Sequence, residues 1–314
     1  MKILVYGAGV LGSYLAYEFS KVGHDVYILA RRKRYDALKN EGLIIEHHIQ
    51  KQITVTNVNV VNSFDKMDEY DAVFVVMQRI QIDDVLPILA KNEKCKLYVL
   101  VGNNGEAEKT YSKFINMSHG EKTLLFGFQG SGGRRENNRV ISVHKGKVDF
   151  AIGNIIKDTE YKKIIDKIFD GTKIKLWYCD NIDSWLKYHL AVIMPIAYAV
   201  HWAKGDMKKI SKSKDILYLT LQAMQEGIEV LINLGYPPEP KSILKILKWP
   251  NWVWYLPFKI VTGTKIGSLA AGDHAMAAIN EMNLLFLEFL EIKRKSNIKT
   301  PSLDKLESYL IKNS

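Results

Sequence analysis

Hydrophobic positions in the first third of the chain follow two alternating spacings. Four short, mostly apolar segments predict buried strands: residues 3–6, 25–30, 72–77 and 97–101. Between the first two runs, apolar residues recur at the spacing of one helix face: Leu11, Leu15, Phe19 and Val22. A second helical stretch covers residues 84–90. Strands separated by helices of this length favour a parallel sheet with right-handed crossovers.

The pattern changes twice along the rest of the chain. The middle is rich in glycine and contains two β-like runs, residues 139–144 and 147–152, which we expect to complete the sheet. Beyond a candidate boundary around residues 170–183, helical patterns dominate. The predicted fold class is therefore α/β, with a parallel-sheet domain over residues 1–170 followed by a mostly α-helical domain over residues 181–314.

Charge and composition limit the classes of partner expected for the chain. The formal net charge is +10, but the basic residues are spread along the sequence without a nucleic-acid motif, so we expect no nucleic-acid partner. The longest apolar run, residues 190–203, falls short of the ~20 residues that span a bilayer, so we expect no membrane partner. Two cysteines, Cys95 and Cys179, show neither disulfide nor metal-ligand spacing, which favours a cytoplasmic protein without a metal site.

The first predicted strand runs directly into a glycine-rich loop. Its sequence is G-x-G-x-x-G: Gly7, Ala8, Gly9, Val10, Leu11 and Gly12. The motif alone is weak, since a plain glycine turn would look the same, but here it follows a strand and opens a helix. In that setting the glycines permit a tight turn, close approach of a pyrophosphate and close packing of helix on strand. The loop therefore predicts a Rossmann dinucleotide-binding domain.

The end of the second strand bears on which dinucleotide is bound. A site selective for NAD usually places Asp or Glu here to bond the ribose 2′-hydroxyl. This sequence instead has a cluster of cations after Ala30: Arg31, Arg32, Lys33 and Arg34. Cations favour a 2′-phosphate through charge-assisted hydrogen bonds, so we expect NADP(H) as cofactor. A solvated basic turn is the alternative, and use of NADH stays open.

Three polar residues are candidates for chemistry. Gln78 and Asn104 follow predicted strands, where ligands bind in doubly wound sheets. Asn104 precedes Gly105, however, and Asn-Gly is also a common turn pair. Lys187 lies at the start of the long apolar helix, where a partly buried lysine can donate a proton to a developing alkoxide. From the pattern alone, an exposed lysine on the first helical turns is the favoured interpretation.

These features resemble the ketopantoate reductase (2-dehydropantoate 2-reductase) family. The resemblance covers roughly residues 1–200 and rests on motifs that occur in one order: the loop at residues 7–12, the basic turn, Asn104-Gly105, Gly133-Arg134-Arg135 and Trp185-x-Lys187. It implies a Rossmann domain, a helical domain, and reduction of a 2-oxo acid or related carbonyl by NADPH.

The resemblance also implies roles for single residues. Lys187 matches the family's catalytic lysine, the general acid at the substrate carbonyl. Asn104 matches the asparagine at the junction of cofactor and substrate, and Gly133 matches a backbone contact with the cofactor. Gln78 stands near the cofactor where the family commonly has lysine.

Other positions depart from the family. Ala191 and Pro195 stand where it carries two asparagines that grip ketopantoate, and Ala275 stands where it carries a glutamate. Loss of several polar groups from a site that pairs one substrate argues against ketopantoate itself. A non-catalytic NADP(H) sensor, or an imine or opine-type dehydrogenase, are the alternatives. The aromatic segment at residues 249–258 predicts either an apolar pocket lining or packing in the core or at a subunit contact, which would fit a homodimer.

Overall fold

The computed structural model describes residues 1–264 and 267–310, with the side chains of all of these except residues 270, 271, 273 and 274. The chain divides into two compact units. The first contains Met1–Gly102 and Ala107–Asp180, and the second contains Asn103–Glu106 and Asn181–Ser314. The short segment Asn103–Glu106 thus groups with the C-terminal unit although the chain on both sides of it belongs to the first.

Strands and helices alternate through most of the first unit. Its strands are β1 (Lys2–Tyr6), β2 (Asp25–Leu29), β3 (Leu43–His47), β4 (Gln52–Thr56), β5 (Asn59–Val61), β6 (Ala72–Val76), β7 (Leu97–Val101), β8 (Thr123–Gln129), β9 (Gly132–Glu136), β10 (Arg139–Val143), β11 (Val148–Asn154) and β12 (Ile174–Tyr178). Its helices are α1 (Val10–Lys21), α2 (Lys33–Glu41), α3 (Arg79–Lys91), α4 (Ala107–Met117) and α5 (Tyr161–Phe169).

The main sheet explains why the apolar runs are continuous. Over the described part of the chain it has eight strands in the order β12-β11-β8-β7-β6-β1-β2-β5. Neighbouring strands run parallel except for β8 and β11, which are antiparallel. Helices cover both faces of such a sheet, so every residue of the central strands β6 and β7 is buried. The predicted Rossmann-like α/β class is confirmed.

A second sheet corrects one expectation from the sequence. Residues 139–144 were expected to complete the main sheet, and this expectation is wrong. Strand β10 instead lies in a sheet of order β4-β3-β10-β9, parallel to β3 and antiparallel to β9. The apolar pattern of a strand fixes which face is buried but carries no information on its partners. Strand β11 does join the main sheet, which continues past residue 170 with β12.

The second unit is helical. Its elements are α6 (Ile182–Trp202), α7 (Met207–Lys212), α8 (Lys214–Asn233), a 3₁₀ turn (Lys241–Leu244), α9 (Lys245–Lys248), α10 (Asn251–Gly263), a π-helical turn (Ser268–Gly272), α11 (Asp273–Ala277), α12 (Ile279–Lys293) and α13 (Pro301–Glu307). The apolar helix α6 packs against α8, α12 and α13. Among the helices that the structure describes, none is both long and apolar enough to cross a bilayer.

Candidate functional site

The glycine-rich loop in the first unit requires glycine at two positions. Gly7 has φ of +129°, and a Cβ there would lie 2.1 Å from the carbonyl oxygen of Val76. A Cβ on Gly12 would lie 2.0 Å from the carbonyl oxygen of Gly7. No other residue can be placed this close to backbone atoms, so helix α1 packs directly on the end of β1.

The middle of the loop is open. Gly9 is exposed, it precedes the first turn of α1, and a Cβ on it would meet nothing within 4 Å. The first turn of α1 carries no acidic residue, and Val10 and Leu11 are half-buried against the core. The amide groups at such a helix start attract an anion, so the loop fits the pyrophosphate of a dinucleotide. Ala8 is buried, and its carbonyl accepts a hydrogen bond from Arg34.

Gly133, which the resemblance assigns a backbone contact with the cofactor, lies beside this loop. It belongs to β9, has φ of +143°, and a Cβ there would lie 1.9 Å from the carbonyl oxygen of Ile141. The same Cβ would lie 3.2 Å from Cγ1 of Val10, the first residue of α1. Backbone close to the helix start can therefore approach a ligand held there.

The basic turn after β2 divides into two groups with different surroundings. Arg31 and Arg32 are exposed, and Nη2 of Arg31 donates to the Tyr6 hydroxyl at 2.9 Å. Arg34 is buried and donates to the carbonyl oxygen of Asn138 at 2.8 Å, and burial lowers its pKa to about 10. Arg34 thus ties α2 to the β9–β10 hairpin, while Arg31 and Arg32 stay accessible to a phosphate.

The side chain of Gln78 caps the start of helix α3. Its side chain accepts from a backbone amide in the first turn of α3, and its own backbone amide donates to the side chain of Gln81 at 3.3 Å. This reciprocal capping box fixes the start of α3 at the end of β6. A glutamine can cap a helix in this way and a lysine cannot, since lysine has no acceptor.

Lys187 is buried in the second unit. Only 5% of its surface is exposed, and its Nζ donates to Oδ1 of Asp183, one helical turn earlier on α6. Asp183 is equally buried. The Lys187 ammonium also lies 5.0 Å from the centre of the Tyr236 ring. Of the two interpretations left open by the sequence, the buried lysine is the one found.

Asn104 also belongs to the second unit and is 4% exposed. Its Oδ1 accepts from the backbone amide of Glu106 at 2.9 Å, and the amide of Gly105 donates to Oε2 of Glu288 at 2.8 Å. A Cβ on Gly105 would lie 2.8 Å from a methyl group of Leu190. Leu190 is three residues beyond Lys187, so this turn packs on the same face of α6 as Lys187.

The three positions that depart from the family are all buried in the second unit. Ala191 is buried, and a Cβ on Gly227 of α8 would lie only 3.2 Å from its methyl group. Helix α8 approaches Ala191 closely at Gly227, where a glycine leaves room for the alanine methyl group. Pro195 and Ala275 are also buried. All three positions therefore contribute apolar contacts in this chain.

Two buried carboxylates were missed by the sequence reasoning. Asp183 precedes Lys187 by four residues, which is the spacing of an ion pair on one helix face and would have been a usable signal. Glu288 meets Gly105 across 183 residues of sequence, and no local pattern predicts such a contact.

The aromatic segment at residues 249–258 is divided between the inside and the outside of the unit. Tyr255 and Phe258 pack against its core, and Tyr255 stacks on Tyr218 with ring centres 5.1 Å apart. Trp252 and Leu256 are exposed. The segment therefore contributes both to the core of this unit and to its solvent-exposed surface.

A family model for the ketopantoate reductase PanE/ApbA matches residues 3–156. The N-terminal unit is a ketopantoate reductase family domain. The resemblance drawn from the sequence is thereby confirmed.

Curated relatives match longer stretches of the chain than this family model does. "Uncharacterized oxidoreductase YkpB" of Bacillus subtilis (strain 168) is 25% identical over 195 residues, which cover 60% of this chain and 61% of the relative. The chain thus matches about three fifths of the length of that protein. A 2-dehydropantoate 2-reductase of Pyrococcus horikoshii is 23% identical over 244 residues, which cover 75% of each chain.

Solved structures show the same fold over nearly the whole chain. A D-mandelate dehydrogenase, solved with NADH and anilino(oxo)acetate, has a TM-score of 0.78 at 15% identity and covers 99% of this chain and 97% of its own. A PanE/ApbA family ketopantoate reductase from Ralstonia eutropha JMP134 has a TM-score of 0.76 at 16% identity, with the same coverage of each chain. The arrangement of a sheet unit followed by a helical unit is therefore that of the ketopantoate reductase fold.

Proposed function

We propose that this chain is an NADPH-dependent reductase of a 2-oxo acid or related carbonyl compound, with Lys187 as the proton donor. The observation that carries the proposal is the buried Lys187–Asp183 pair in a chain whose N-terminal unit is a ketopantoate reductase family domain. A buried charge is retained at a cost in desolvation, which makes such a pair a candidate functional group.

Residues of the first unit fit the cofactor. The open amide groups around Gly9 suit the pyrophosphate, Gly133 brings backbone close to it, and the exposed Arg31 and Arg32 suit a 2′-phosphate. When bound, NADPH supplies a hydride to the substrate carbonyl carbon. A neighbour in fold was solved with NADH, so both cofactors belong in the test.

Lys187 supplies the proton to the carbonyl oxygen in this proposal. As the carbonyl carbon accepts a hydride, its oxygen takes a proton from Nζ of Lys187, and the neutral amine regains a proton from solvent in the next cycle. Asp183 orients the ammonium by accepting the hydrogen bond from its Nζ. Asn104, fixed by its bond to Glu106, would position the reactants.

The substrate is expected to be less polar than ketopantoate. Ala191 and Pro195 place apolar, buried side chains where the family is expected to carry amide groups. A site without those amides offers no hydrogen bond to the hydroxyl group of ketopantoate, whereas an aromatic or aliphatic side chain loses no hydrogen bond there. We therefore expect 2-oxo acids with apolar side chains to be reduced better than ketopantoate.

The test follows NADPH and NADH consumption against a panel of 2-oxo acids, ketopantoate included, each with and without amines. We expect Lys187→Ala to lower kcat on the order of 10²- to 10⁴-fold in the protein that stays folded, because the general acid is removed, while that protein still binds NADPH. Lys299→Ala removes an exposed lysine and serves as the control. Wild-type turnover by Lys187→Ala would exclude Lys187 as the acid, and a requirement for amine would indicate an imine or opine-type dehydrogenase.

A non-catalytic NADP(H) sensor is the second candidate. It is favoured by the apolar packing of Ala191, Pro195 and Ala275, since all three stand where the family is expected to grip substrate. Tight binding of NADPH without turnover of any acid, in the wild-type protein, would support the sensor and exclude the reductase.

A further inference from the structure

Helix α10 (Asn251–Gly263) presents an apolar stripe to solvent. Trp252, Leu256 and Ile260 are spaced by four residues, so they lie on one helix face, and they are 69%, 59% and 57% exposed. Val261 and the preceding Trp249 extend the exposed apolar surface. Isolated exposed apolar residues are common, but a contiguous patch of this kind marks an interaction surface.

The opposite side of α10 holds the helix in place. Tyr255 stacks on Tyr218 of α8, and Asn251 accepts a hydrogen bond from the side chain of Gln225 at 2.8 Å. Helix α10 also packs along α7, where a Cβ on Gly263 would lie 3.5 Å from Ser211. The exposed stripe is therefore the outer face of a helix that is anchored to the unit by its inner face.

The segments next to this stripe are rich in lysine. Residues 240–264 contain no aspartate or glutamate, and all four of their lysines are exposed: Lys241, Lys245, Lys248 and Lys259. The neighbouring helix α7 adds three more exposed lysines: Lys208, Lys209 and Lys212. The nearby acid Asp206 accepts from two backbone amides as the N-cap of α7, and Asp215 is exposed at the start of α8.

Although no described helix can cross a bilayer, we propose that α10 docks the chain on the surface of an anionic lipid bilayer, contrary to the sequence expectation of no membrane partner. An apolar face with tryptophan and aliphatic residues, bordered by lysines, is the composition of a helix that lies in the plane of the headgroups. Trp252, Leu256 and Ile260 would enter the boundary between headgroups and acyl chains, while the lysines contact lipid phosphates. With 13 residues the helix is about 20 Å long, which suits this orientation rather than a crossing of the bilayer.

Charge favours the bilayer over other occupants. A second copy of this chain would bring lysines of α9 and α10 against lysines, with no carboxylate in residues 240–264 to pair with them. Lysine is also depleted in protein–protein interfaces. Nucleic acid would pair with the lysines but would leave Leu256 and Ile260 exposed, since aliphatic side chains have no base to stack on. An anionic bilayer satisfies both the apolar stripe and its basic border.

The test is co-sedimentation of the full-length protein with phosphatidylcholine vesicles, with and without phosphatidylglycerol. We expect partitioning only into the anionic vesicles. The triple change Trp252→Gln, Leu256→Gln and Ile260→Gln should weaken it on the order of 100-fold, because the apolar insertion is lost. The double change Lys245→Gln and Lys248→Gln should weaken it about 25-fold, since each lysine near an anionic surface contributes about fivefold.

Matched controls separate these effects from general surface changes. Ile53→Gln with Val55→Gln removes two equally exposed apolar residues from β4, and Lys91→Gln with Lys94→Gln removes two exposed lysines elsewhere. Both should leave partitioning unchanged, and all variants should keep the NADPH turnover of the wild type. Absence of binding to anionic vesicles, or equal binding to neutral ones, would overturn the proposal. So would a wild-type dimer that the triple variant converts to monomer, because α10 would then be a subunit interface.

Discussion

The Lys187–Asp183 pair places two opposite charges inside the helical unit, each about 5% exposed. Both groups lose most of their hydration there, and their mutual attraction repays this loss only while both are present. A neutral pair of similar volume in the same place would avoid the desolvation cost altogether. A role in the proposed proton transfer therefore explains the pair better than a contribution to the free energy of unfolding does.

A double-mutant cycle tests this account. We expect Asp183→Leu or Lys187→Met alone to lower the free energy of unfolding by about 3–5 kcal/mol, because each leaves one uncompensated buried charge. The double variant should lose much less than the sum, and urea unfolding of the four proteins measures the difference. Glu291→Gln, which breaks the exposed pair with Arg294, is the control and should change little. A double variant as unstable as the sum would show that the two charges do not compensate each other.

Single residues also show what a sequence can predict of a site. The burial of Lys187 could not be deduced from the pattern of α6, which raised a buried lysine as a candidate but favoured an exposed one. The steric need for glycine at positions 7 and 12 was deducible, because the G-x-G-x-x-G spacing carries its own geometry. The contact of Glu288 with Gly105 depends on how α12 packs in the second unit, which no local pattern encodes.

At the level of elements, local patterns located most strands and helices. The runs at residues 3–6, 72–77 and 97–101 correspond to β1, β6 and β7, and the helical spacing before Val22 corresponds to α1. Pairing between strands was less predictable. The second sheet joins β3 to β10 across about ninety residues, a choice determined by tertiary contacts rather than by alternation of side chains.

Substitutions in the glycine-rich loop at residues 7–12 can separate the effect on cofactor binding from the effect on folding. Gly9→Ala should leave the melting temperature unchanged, because its Cβ enters open space, but it should weaken NADPH binding by obstructing the approach of a phosphate. Gly12→Ala should lower the melting temperature strongly, because its Cβ would overlap the carbonyl oxygen of Gly7. Calorimetric titration with NADPH and thermal unfolding measure the two effects.

Gly23→Ala provides a control for this pair. Gly23 has φ of +87°, and its Cβ would meet nothing within 4 Å, so the change should cost some stability through the backbone alone and leave NADPH binding intact. Unchanged NADPH affinity in Gly9→Ala would contradict the assignment of this loop to the pyrophosphate.

At the level of the whole molecule, three histidines make stability depend on pH. Burial is the main cause that lowers the pKa of His47, His189 and His201, and that of His189 falls to about 4. Each imidazole is neutral in the folded protein at pH values where the unfolded chain already binds a proton. As the pH falls below the ordinary value near 6.5, the unfolded state is therefore favoured.

We expect the free energy of unfolding to fall between pH 6.5 and 4.5, with His189 contributing at most about 3 kcal/mol over its full range. This window lies above the ordinary pKa of carboxyl groups such as Asp83 and Asp304, whose lowered pKa values matter only in stronger acid. Urea unfolding across the window should show a smaller slope for His189→Gln, because glutamine takes up no proton in the unfolded chain. His119→Gln removes an exposed imidazole and serves as the surface control. A wild-type slope in His189→Gln would mean that protonation of this ring does not oppose folding.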